Sequence, residues 1–236
     1  SGAKKEEMPY NSKLRFLFGD MIEAITMLLL KASGTTVDSE QKQVSKPSKY
    51  FETGLTGTYD VEIDNKIYDI KSASDWAFKN KFSMGFDAVV DKDVFGYKSQ
   101  GYLYADAENK KFGGWIVINK STGEMCIVSP PKNDAEHRKE ALKVAEDNIK
   151  ALMENKPFER CFTDIEEKYR NKLTGNRVLD SVCSFCSFKQ ECWGDKIEYL
   201  PQQVFDSEGK PRSKSPRYYW YTHVADRGNN NDKEKE

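Results

Sequence analysis

Hydrophobic and polar positions recur with two different periods along this chain. From Lys13 to about Ser33, apolar residues recur with helical spacing and cover most of the circumference, which predicts a helix. Residues 34–50 are rich in Ser, Thr, Gln and Lys, and we therefore expect a loop there. Residues 133–155 form a charged amphipathic pattern that Pro157 ends, which predicts another long helix.

Two further segments follow the two-residue period of β-strands. Residues 55–72 contain two short alternating runs joined by Asp64-Asn65, a dipeptide typical of a tight hairpin turn. Residues 113–128 repeat this pattern, and a helical segment over 91–107 separates the two hairpins. The order of helix, hairpin, helix, hairpin and helix predicts an α/β domain with a mixed central β-sheet flanked by helices.

Composition is that of an ordinary globular protein. The 236 residues suit one large domain with a small appendage. The longest apolar run, residues 21–30, contains Glu23 and is about half as long as a bilayer span. We therefore expect an intracellular, cytoplasmic protein, of cellular or phage origin, without membrane contact. The net charge of −1 is low for a protein that coats nucleic acid, but it allows carboxylates and a local basic patch to coexist.

Charged residues of the first hairpin are expected to lie close together. Since side chains two apart share one face of a strand, Asp69 and Lys71 point the same way. If Asp64-Asn65 forms a two-residue turn, Asp60 lies directly opposite Asp69, with Cβ atoms about 5 Å apart. Two like charges at that separation destabilise a hairpin unless Lys71 or a hard divalent cation offsets them. A three-residue turn would separate the carboxylates, and a face of solvated surface charges would give the same pattern.

Glu23 occupies an unusual place on the first predicted helix. It lies away from the polar stripe that Lys13, Asp20 and Lys31 form. Helical spacing instead surrounds it with apolar or small neighbours such as Met27. A carboxylate in such surroundings is unfavourable without a polar or cationic partner. The sequence therefore predicts that Glu23 meets a partner elsewhere in the fold.

These residues, in this order, resemble the motifs of the PD-(D/E)XK nuclease superfamily. Asp60, followed after eight residues by Asp69-Ile70-Lys71, is similar to the core motif of that superfamily. Gly19-x-x-x-Glu23 on the preceding helix resembles its first motif. The resemblance implies a restriction-endonuclease-like core with a mixed β-sheet flanked by helices.

A third motif resembles one branch of this superfamily. Gln100-x-x-x-Tyr104 is similar to the motif of the RecB-like exonucleases, a branch that includes CRISPR-associated adaptation nucleases and phage-type exonucleases. The two side chains are one helical turn apart, and in the family they help to position DNA near the metal. The alternative is a helix face that packs Tyr104 into the core. The RecB branch usually has histidine at the place of Glu23, whereas other branches have glutamate.

The resemblance implies a metal-dependent hydrolysis of phosphodiester bonds. Asp60 and Asp69, with the carbonyl oxygen of Ile70 and with Glu23, would hold one or two Mg²⁺ or Mn²⁺ ions. The metal would polarise the scissile phosphate, lower the pKa of a bound water and stabilise the leaving oxygen. Lys71 would orient the attacking water or offset the charge that develops on the phosphorane.

The cysteine spacing predicts a second metal site. Cys183-x-x-Cys186 presents two thiolates from one tight turn, and Cys192 follows closely. The same spacing resembles the three-cysteine end of an iron–sulfur staple in RecB-type proteins. The expected fourth ligand is Cys161, 22 positions before Cys183, while Cys126 lies in a strand-like run and is expected in the core. A [4Fe–4S] cluster and a structural Zn²⁺ both suit this spacing, and either would be a staple and not a catalyst.

An aromatic run near the end of the chain has two interpretations. Residues 210–221 carry four basic side chains and no acidic one, and they end in Tyr218-Tyr219-Trp220-Tyr221. Aromatic rings beside cations can stack on the bases of single-stranded DNA. The same four residues could equally form a strand that packs on the core.

Together these features predict two structural units and one enzymatic activity. We expect a nuclease core over 13–156, a cysteine-rich metal-binding segment packed on it over 157–225, and disordered ends over 1–12 and 226–236. The predicted function is a Mg²⁺-dependent DNA exonuclease in recombination, repair or phage DNA processing. Its partners would be single-stranded or linear DNA and a recombination or single-strand-annealing protein. The alternatives are an endonuclease of CRISPR-adaptation type and a non-catalytic nucleic-acid-binding module with a structural metal.

Overall fold

The computed structural model describes residues 10–48, 51–91, 93–154 and 160–225, which fall into two compact units, Pro9–Pro157 and Phe158–Glu236. Residues 1–9 and 226–236, expected to be disordered, lie outside the described residues. Residues 10–12 were also expected to be disordered, but they form the start of a helix. No helix in the described ranges is long and apolar enough to span a bilayer.

The first unit is an α/β unit built on a five-stranded sheet. Its elements are α1 (Tyr10–Ala32), β1 (Ser39–Ser48), β2 (Phe51–Ile63), β3 (Lys66–Ala73), α2 (Asp75–Asn80), α3 (Phe86–Val90), α4 (Tyr97–Ala107), β4 (Lys111–Asn119), β5 (Met125–Val128) and α5 (Ala135–Met153). A short 3₁₀ turn, Phe82–Met84, lies between α2 and α3.

The sheet is mixed, as the order of predicted elements requires. Its strands lie in the order β1-β2-β3-β4-β5, and only the β3–β4 pair is parallel. The crossover from β3 to β4 consists of α2, α3 and α4. One face of the sheet buries a large apolar cluster that includes Tyr59, Ile67 and Trp115, together with residues of α2 to α5. The other face packs against α1 through Met27 and Ile70. The α/β class with a mixed sheet and flanking helices is confirmed.

The first hairpin turns at Asp64-Asn65, as predicted. Both residues have positive φ values, 50° and 57°, which match the twist that a two-residue hairpin needs and which Asp and Asn tolerate. Ile63 therefore pairs with Lys66, and the ladder continues to Val61 and Tyr68. The three-residue turn is excluded. The second hairpin, between β4 and β5, is also confirmed, as are the long helices α1 and α5.

The prediction of a loop over 34–50 was wrong, because Ser39–Ser48 forms the edge strand β1. It pairs with β2 over almost its whole length. Val44 is its one buried apolar residue in the described part of the strand, so no hydrophobic alternation marks it in the sequence. Backbone pairing with a long neighbour holds this polar segment in the sheet.

The helix predicted over 91–107 begins later than expected. Its helical part is α4, which starts at Tyr97 after a turn that ends at Gly96, in the left-handed region with a φ of 72°. The two short helices between residues 75 and 90 were not predicted. Each is shorter than seven residues, too short to develop a helical period that distinguishes it from a loop.

Apolar residues of α1 are less buried than their number suggested. Thr26 and Met27 face the sheet and are buried, whereas Phe16, Leu17 and Leu28 are more than half exposed. Within the described part of the first unit, α1 packs on the sheet through one side, and its apolar circumference exceeds what that side covers.

The second unit contains an antiparallel sheet in the order β6-β7-β9-β8. Its elements are β6 (Asp164–Tyr169), β7 (Lys172–Leu179), α6 (Ser181–Phe185), α7 (Lys189–Trp193), β8 (Glu198–Pro201) and β9 (Tyr218–His223). A 3₁₀ turn, Gly194–Lys196, follows α7. A small apolar cluster of Leu179, Trp193 and Ile197 lies beneath the two helices.

This sheet was not predicted, except that a strand was one of the two interpretations of the aromatic run 218–221. One reason is that the buried position of β6 is the carboxylate Glu167 and not an apolar residue. Asn176, Thr174 and Tyr221 donate hydrogen bonds of 2.7, 2.9 and 2.7 Å to its carboxylate oxygens. A polar network of this kind satisfies a buried carboxylate but hides the strand from any hydrophobic pattern.

A substitution at Gly114 tests the packing of the first unit. Residue 113 is an extra residue in β4, since Phe112 pairs with Ile67 and Gly114 with Tyr68. Gly114 has a φ of 120°, and a Cβ there would collide with the carbonyl oxygen of Val128. We expect Gly114→Ala to lower the free energy of unfolding by about 3 kcal/mol or more, measured by urea denaturation.

Gly123→Ala is the matched control for this change. Gly123 also has a positive φ, 78°, but no atom lies within 4 Å of its Cβ position. Gly123→Ala should lower the free energy of unfolding by only about 1 kcal/mol, because it adds backbone strain and no collision. Equal losses in the two variants would contradict the proposed collision with β5.

Candidate functional site

The candidate site lies where β2 separates from β3. Tyr59 and Val61 are two residues apart, yet they pack into the apolar clusters on opposite faces of the sheet. The strand is therefore irregular at Asp60, and the β2–β3 ladder ends at the Val61–Tyr68 pair. The Asp60 carboxylate takes the place of a backbone partner, because its Oδ2 accepts a hydrogen bond of 2.6 Å from the Ile70 N–H.

This geometry corrects one expectation. Asp60 and Asp69 were predicted to be directly opposed across a regular ladder, but no ladder pair joins them. They still lie close together, because the side chain of Asp60 turns across the gap and binds the N–H of Ile70, the residue next to Asp69 on β3. The prediction of neighbouring carboxylates holds, whereas the predicted reason for it does not.

Asp69 and Lys71 share one face of β3, as the two-residue period predicts. The Lys71 Nζ lies 2.7 Å from the Asp69 Oδ2. Asp69 is buried, with 3% of its surface exposed, and Lys71 is partly buried. The Lys71–Asp69 ion pair therefore lies at the edge of the apolar core. Solvent and salt screen its attraction less there than on an open surface.

Gln100 and Tyr104 extend this constellation from α4. The Lys71 Nζ donates to the Gln100 Oε1 at 3.4 Å, and the Gln100 Nε2 donates to the Tyr104 hydroxyl at 3.1 Å. The Tyr104 ring packs against β2, since a Cβ on Gly57 would lie 2.5 Å from its Cε1. The packing interpretation holds for the Tyr104 ring, while its hydroxyl reaches the polar chain that begins at Asp69, and a role toward DNA stays a prediction.

Glu23 meets its predicted polar partner on β1. The amide of Gln41 donates to the Glu23 Oε2 at 3.3 Å and to the Asp60 Oδ1 at 3.4 Å. Gln41 has a φ of 46° and lies where β1 passes Asp60 without a ladder pair. The amide thus links carboxylates from α1 and β2.

Two residues near the site were missed by the sequence analysis. Gln41 gave no signal, because it lies on the polar edge strand that was taken for a loop. Tyr97 could have been found, since it shares a helical face with Gln100 and Tyr104. The Lys71 Nζ lies 4.9 Å from the centroid of the Tyr97 ring, a cation–π distance.

The electrostatics of the site favour a further positive charge. Burial and the nearby charge of Asp60 raise the pKa of Glu23 to about 7. Burial raises the pKa of Asp69 to about 6, with Lys71 acting against the rise and Asp60 adding to it. Burial also raises the pKa of Asp60. Although burial by itself lowers the pKa of Lys71, the carboxylates of Asp69 and Asp60 outweigh it and the pKa is raised.

The donor set fits a hard divalent cation in its chemistry. The Asp69 Oδ2 is buried and accepts no hydrogen bond within the described ranges, and the Lys71 ammonium lies 2.7 Å from it. Carboxylate oxygens are the ligands that Mg²⁺ prefers. No group of three or more His, Cys, Asp or Glu side chains among the described residues is already arranged as a metal site. The carboxylates of Glu23, Asp60 and Asp69 would therefore have to close around a shared ion.

The four predicted cysteine ligands lie in the second unit and are all free thiols. Burial raises the pKa of Cys183, and the nearby Cys186 and Cys192 raise it further. Burial likewise raises the pKa of Cys192, and Cys186 and Cys161 add to this effect. Each of the four is thus within electrostatic reach of another. Cys126 lies on β5 and packs against the core, as expected.

Comparisons with known proteins add little to this geometry. No protein-family model matches the chain, and no curated protein matches it. Among solved structures, the chain is similar to the crystal structure of SSO0001, with a TM-score of 0.39 and 14% identity over 74% of this chain and 68% of that chain. A likeness of this size supports no argument about function.

The raised pKa of Asp69 predicts how stability depends on pH. A carboxyl group with a pKa near 6 in the folded protein and about 3.9 in the unfolded chain stabilises the fold below pH 4, and this stabilisation is lost as pH rises through 6. Asp69→Asn removes that titration. In EDTA, the stability of the variant relative to the wild type should rise by about 3 kcal/mol from pH 4 to 7.

The measurement is urea denaturation at a series of pH values. Asp64→Asn is the control, since Asp64 lies in the exposed hairpin turn and asparagine tolerates its positive φ. Its stability relative to the wild type should change little over the same range. A flat difference for Asp69→Asn would show that the Asp69 carboxylate is not held in a charge-disfavouring environment.

Proposed function

We propose that this protein is a Mg²⁺- or Mn²⁺-dependent DNA nuclease of the RecB-like PD-(D/E)XK type, an exonuclease that acts on linear or single-stranded DNA. The single observation that supports this most strongly is the convergence at Lys71. Its ammonium lies beside Asp69 and within 3.4 Å of Gln100, while Asp60 and Glu23 share the amide of Gln41. The three sequence motifs therefore meet in one place, although they come from α1, β2, β3 and α4.

The metal would be held by the carboxylates at the junction of β2 and β3. Asp60 and Asp69 are the main candidates, with the carbonyl oxygen of Ile70 and the carboxylate of Glu23 completing the set. The bound cation would supply Lewis-acid chemistry, a hydroxide-like water and charge stabilisation at the leaving oxygen. Binding would also offset the mutual repulsion that helps to hold these carboxyl groups at raised pKa values.

The remaining site residues have roles that follow from their positions. Lys71 is close enough to Asp69 to orient a water at the carboxylate or to offset negative charge on the phosphate. The hydrogen bond from Gln100 to Tyr104 fixes both side chains on the face of α4 that lies over Lys71. From there they can contact the nucleotide next to the scissile bond.

Basic residues border this region on the α1 side of the sheet. Arg15 and Lys120 line a cleft of about 280 Å³ together with Ser72, the residue after Lys71. Neither cation has an ion pair with a carboxylate in the described part of the chain. A DNA backbone that approaches the end of β3 could place a phosphate there, which would attach the strand without reading its sequence.

The thiols of Cys161, Cys183, Cys186 and Cys192 would hold a structural metal in the second unit. Their mutual influence on pKa supports this, since a cation would stabilise the thiolate forms that burial and like charge disfavour. A [4Fe–4S] cluster and a Zn²⁺ ion remain the two candidates, and each would act as a staple.

The nuclease proposal predicts a specific pattern of lost activity. On end-labelled linear DNA with Mg²⁺, Asp69→Asn should abolish degradation because the principal carboxylate ligand is removed. Lys71→Ala should reduce the rate roughly 10²- to 10³-fold, as expected for the loss of one preorganised charge. EDTA should stop the wild-type reaction. The measurement is a time course on single- and double-stranded substrates.

Lys66→Ala is the matched control, because Lys66 lies on the same strand but is exposed at the hairpin turn. It should cleave like the wild type. A covalently closed circle tests the mode of cleavage, and its degradation would replace the exonuclease assignment with an endonuclease. DNA binding without cleavage, unchanged in Asp69→Asn, would mean that the chain is a binding module and the proposal is wrong.

The cysteine proposal predicts bound metal in protein purified without oxygen. A broad visible absorption band with about four iron atoms per chain would identify the cluster, and a colourless protein with one zinc would identify the alternative. Cys186→Ser should lose most of the metal, whereas Cys126→Ser should retain it, because Cys126 belongs to the core of the other unit. Equal metal content in both variants would contradict the assignment.

A further inference from the structure

The aromatic run 218–221 forms part of strand β9, and its residues alternate between two environments. Tyr221 is buried, with 2% of its surface exposed, and its hydroxyl donates to Glu167 while accepting from the Gln203 N–H at 2.8 Å. Tyr218 is 54% exposed. The strand interpretation of this run is therefore confirmed, with Tyr221 packed inward and Tyr218 exposed at the start of the strand.

The outward face continues onto the neighbouring strand β8. Tyr199 pairs with Trp220 across the ladder and is 55% exposed. Its ring centroid lies 4.9 Å from that of Trp220 and 5.2 Å from that of Tyr218, with interplanar angles of 35° and 36°. These three rings, Tyr199, Tyr218 and Trp220, are called the aromatic stripe below.

The inner end of the stripe is anchored. Trp220 is half-buried and packs against the apolar cluster that contains Leu179 and Trp193. The Nζ of Lys189, a buried lysine, lies 5.1 Å from the Trp220 ring centroid. The stripe thus consists of one half-buried ring, Trp220, and two exposed rings in contact along the ladder, with Tyr199 tilted against both Trp220 and Tyr218.

The chain next to the stripe is basic. The connection from β8 to β9 carries Lys210, Arg212, Lys214 and Arg217 against Asp206 and Glu208, of which Glu208 pairs with Lys210. Residues 210–221, next to the stripe, contain no carboxylate side chain. Lys214 and Arg217 are exposed and form no ion pair in the ranges that the structure describes. The Gln202 N–H donates to the Arg217 carbonyl oxygen at 2.7 Å, which holds the base of this connection beside Tyr218.

Flat aromatic rings beside unpaired cations match one class of ligand well. Unpaired bases offer π-faces to the rings, and the phosphates that join them offer negative charge to the cations. A DNA duplex presents base edges and backbone but hides the faces of its bases, so it could use the cations and not the rings. The charge of the connection also disfavours an uncharged ligand.

We infer that the aromatic stripe binds single-stranded DNA by stacking bases on Tyr199 and Tyr218, while Lys214 and Arg217 contact the adjoining phosphates. The choice of DNA rests on the proposed nuclease function. The stripe gives the second unit a binding role of its own, separate from the metal that its cysteines would hold.

The test measures binding without cleavage. The full chain is titrated into a fluorescent thymidine 20-mer in EDTA, and anisotropy gives the Kd; a duplex of equal length is measured alongside. Stacking is worth about 1–3 kcal/mol per base, so Tyr199→Ala and Tyr218→Ala should each weaken single-strand binding roughly tenfold. Duplex binding should change little.

Two controls separate stacking from loss of structure. Tyr199→Phe and Tyr218→Phe retain the rings and should bind within about twofold of the wild type, because stacking uses the ring face. Tyr169→Ala removes a tyrosine on β6, the opposite edge of the same sheet, where Arg170 lies 5.4 Å from the ring centroid. It should leave the Kd unchanged.

Arg217→Gln should lower the salt dependence of binding by about one ion per complex.

Unchanged single-strand binding in both alanine variants would overturn the inference, and so would an equal loss of duplex binding or a loss in Tyr169→Ala. The nuclease proposal is tested separately by Asp69→Asn. Tenfold weaker binding in the tyrosine variants of a chain that never cleaves DNA would support the stripe and reject the nuclease. Asp69-dependent cleavage with unaffected binding in the tyrosine variants would support the nuclease proposal and reject the aromatic stripe.

Discussion

The hydrogen bond from the Ile70 N–H to the Asp60 carboxylate determines how the candidate site is built. A backbone donor at that position would normally pair with the neighbouring strand, and leaving it unpaired in a partly buried place is costly. Asp60 satisfies the donor with a side chain at 2.6 Å, which allows β2 and β3 to part after the Val61–Tyr68 pair. The gap that results is where Asp69 and Lys71 meet the charges of other elements.

The separation of the two strands explains why so many carboxyl groups can be placed together. Each of Glu23, Asp60 and Asp69 has a raised pKa because burial disfavours its charge, and the charge of Asp60 raises the other two further. Lys71 offsets part of this repulsion, and the Gln41 amide links two of the carboxylates. Such an arrangement is unfavourable for stability alone and suits a site that binds a cation.

The second unit also buries a carboxylate, but there hydrogen bonds satisfy it. Glu167 is buried with three hydrogen-bond donors and no cation in the described ranges, so it stabilises the sheet in which it lies. Tyr221 donates one of these bonds, while Tyr218 on the other face of β9 is 54% exposed and Trp220 between them is half-buried. One strand therefore contains both a tyrosine with a structural role and an exposed tyrosine.

The regular parts could be predicted from sequence: the two long helices, the two hairpins, the turn at Asp64-Asn65 and the shared face of Asp69 and Lys71. These follow from local periodicity and turn chemistry, which depend on neighbouring residues. Three features became visible in the folded chain alone: the polar edge strand β1, the break in the ladder at Asp60 and the contact of Gln41 with Glu23. Each depends on partners about twenty residues away or on backbone pairing. The hydrophobic periodicity of a segment reflects neither of these.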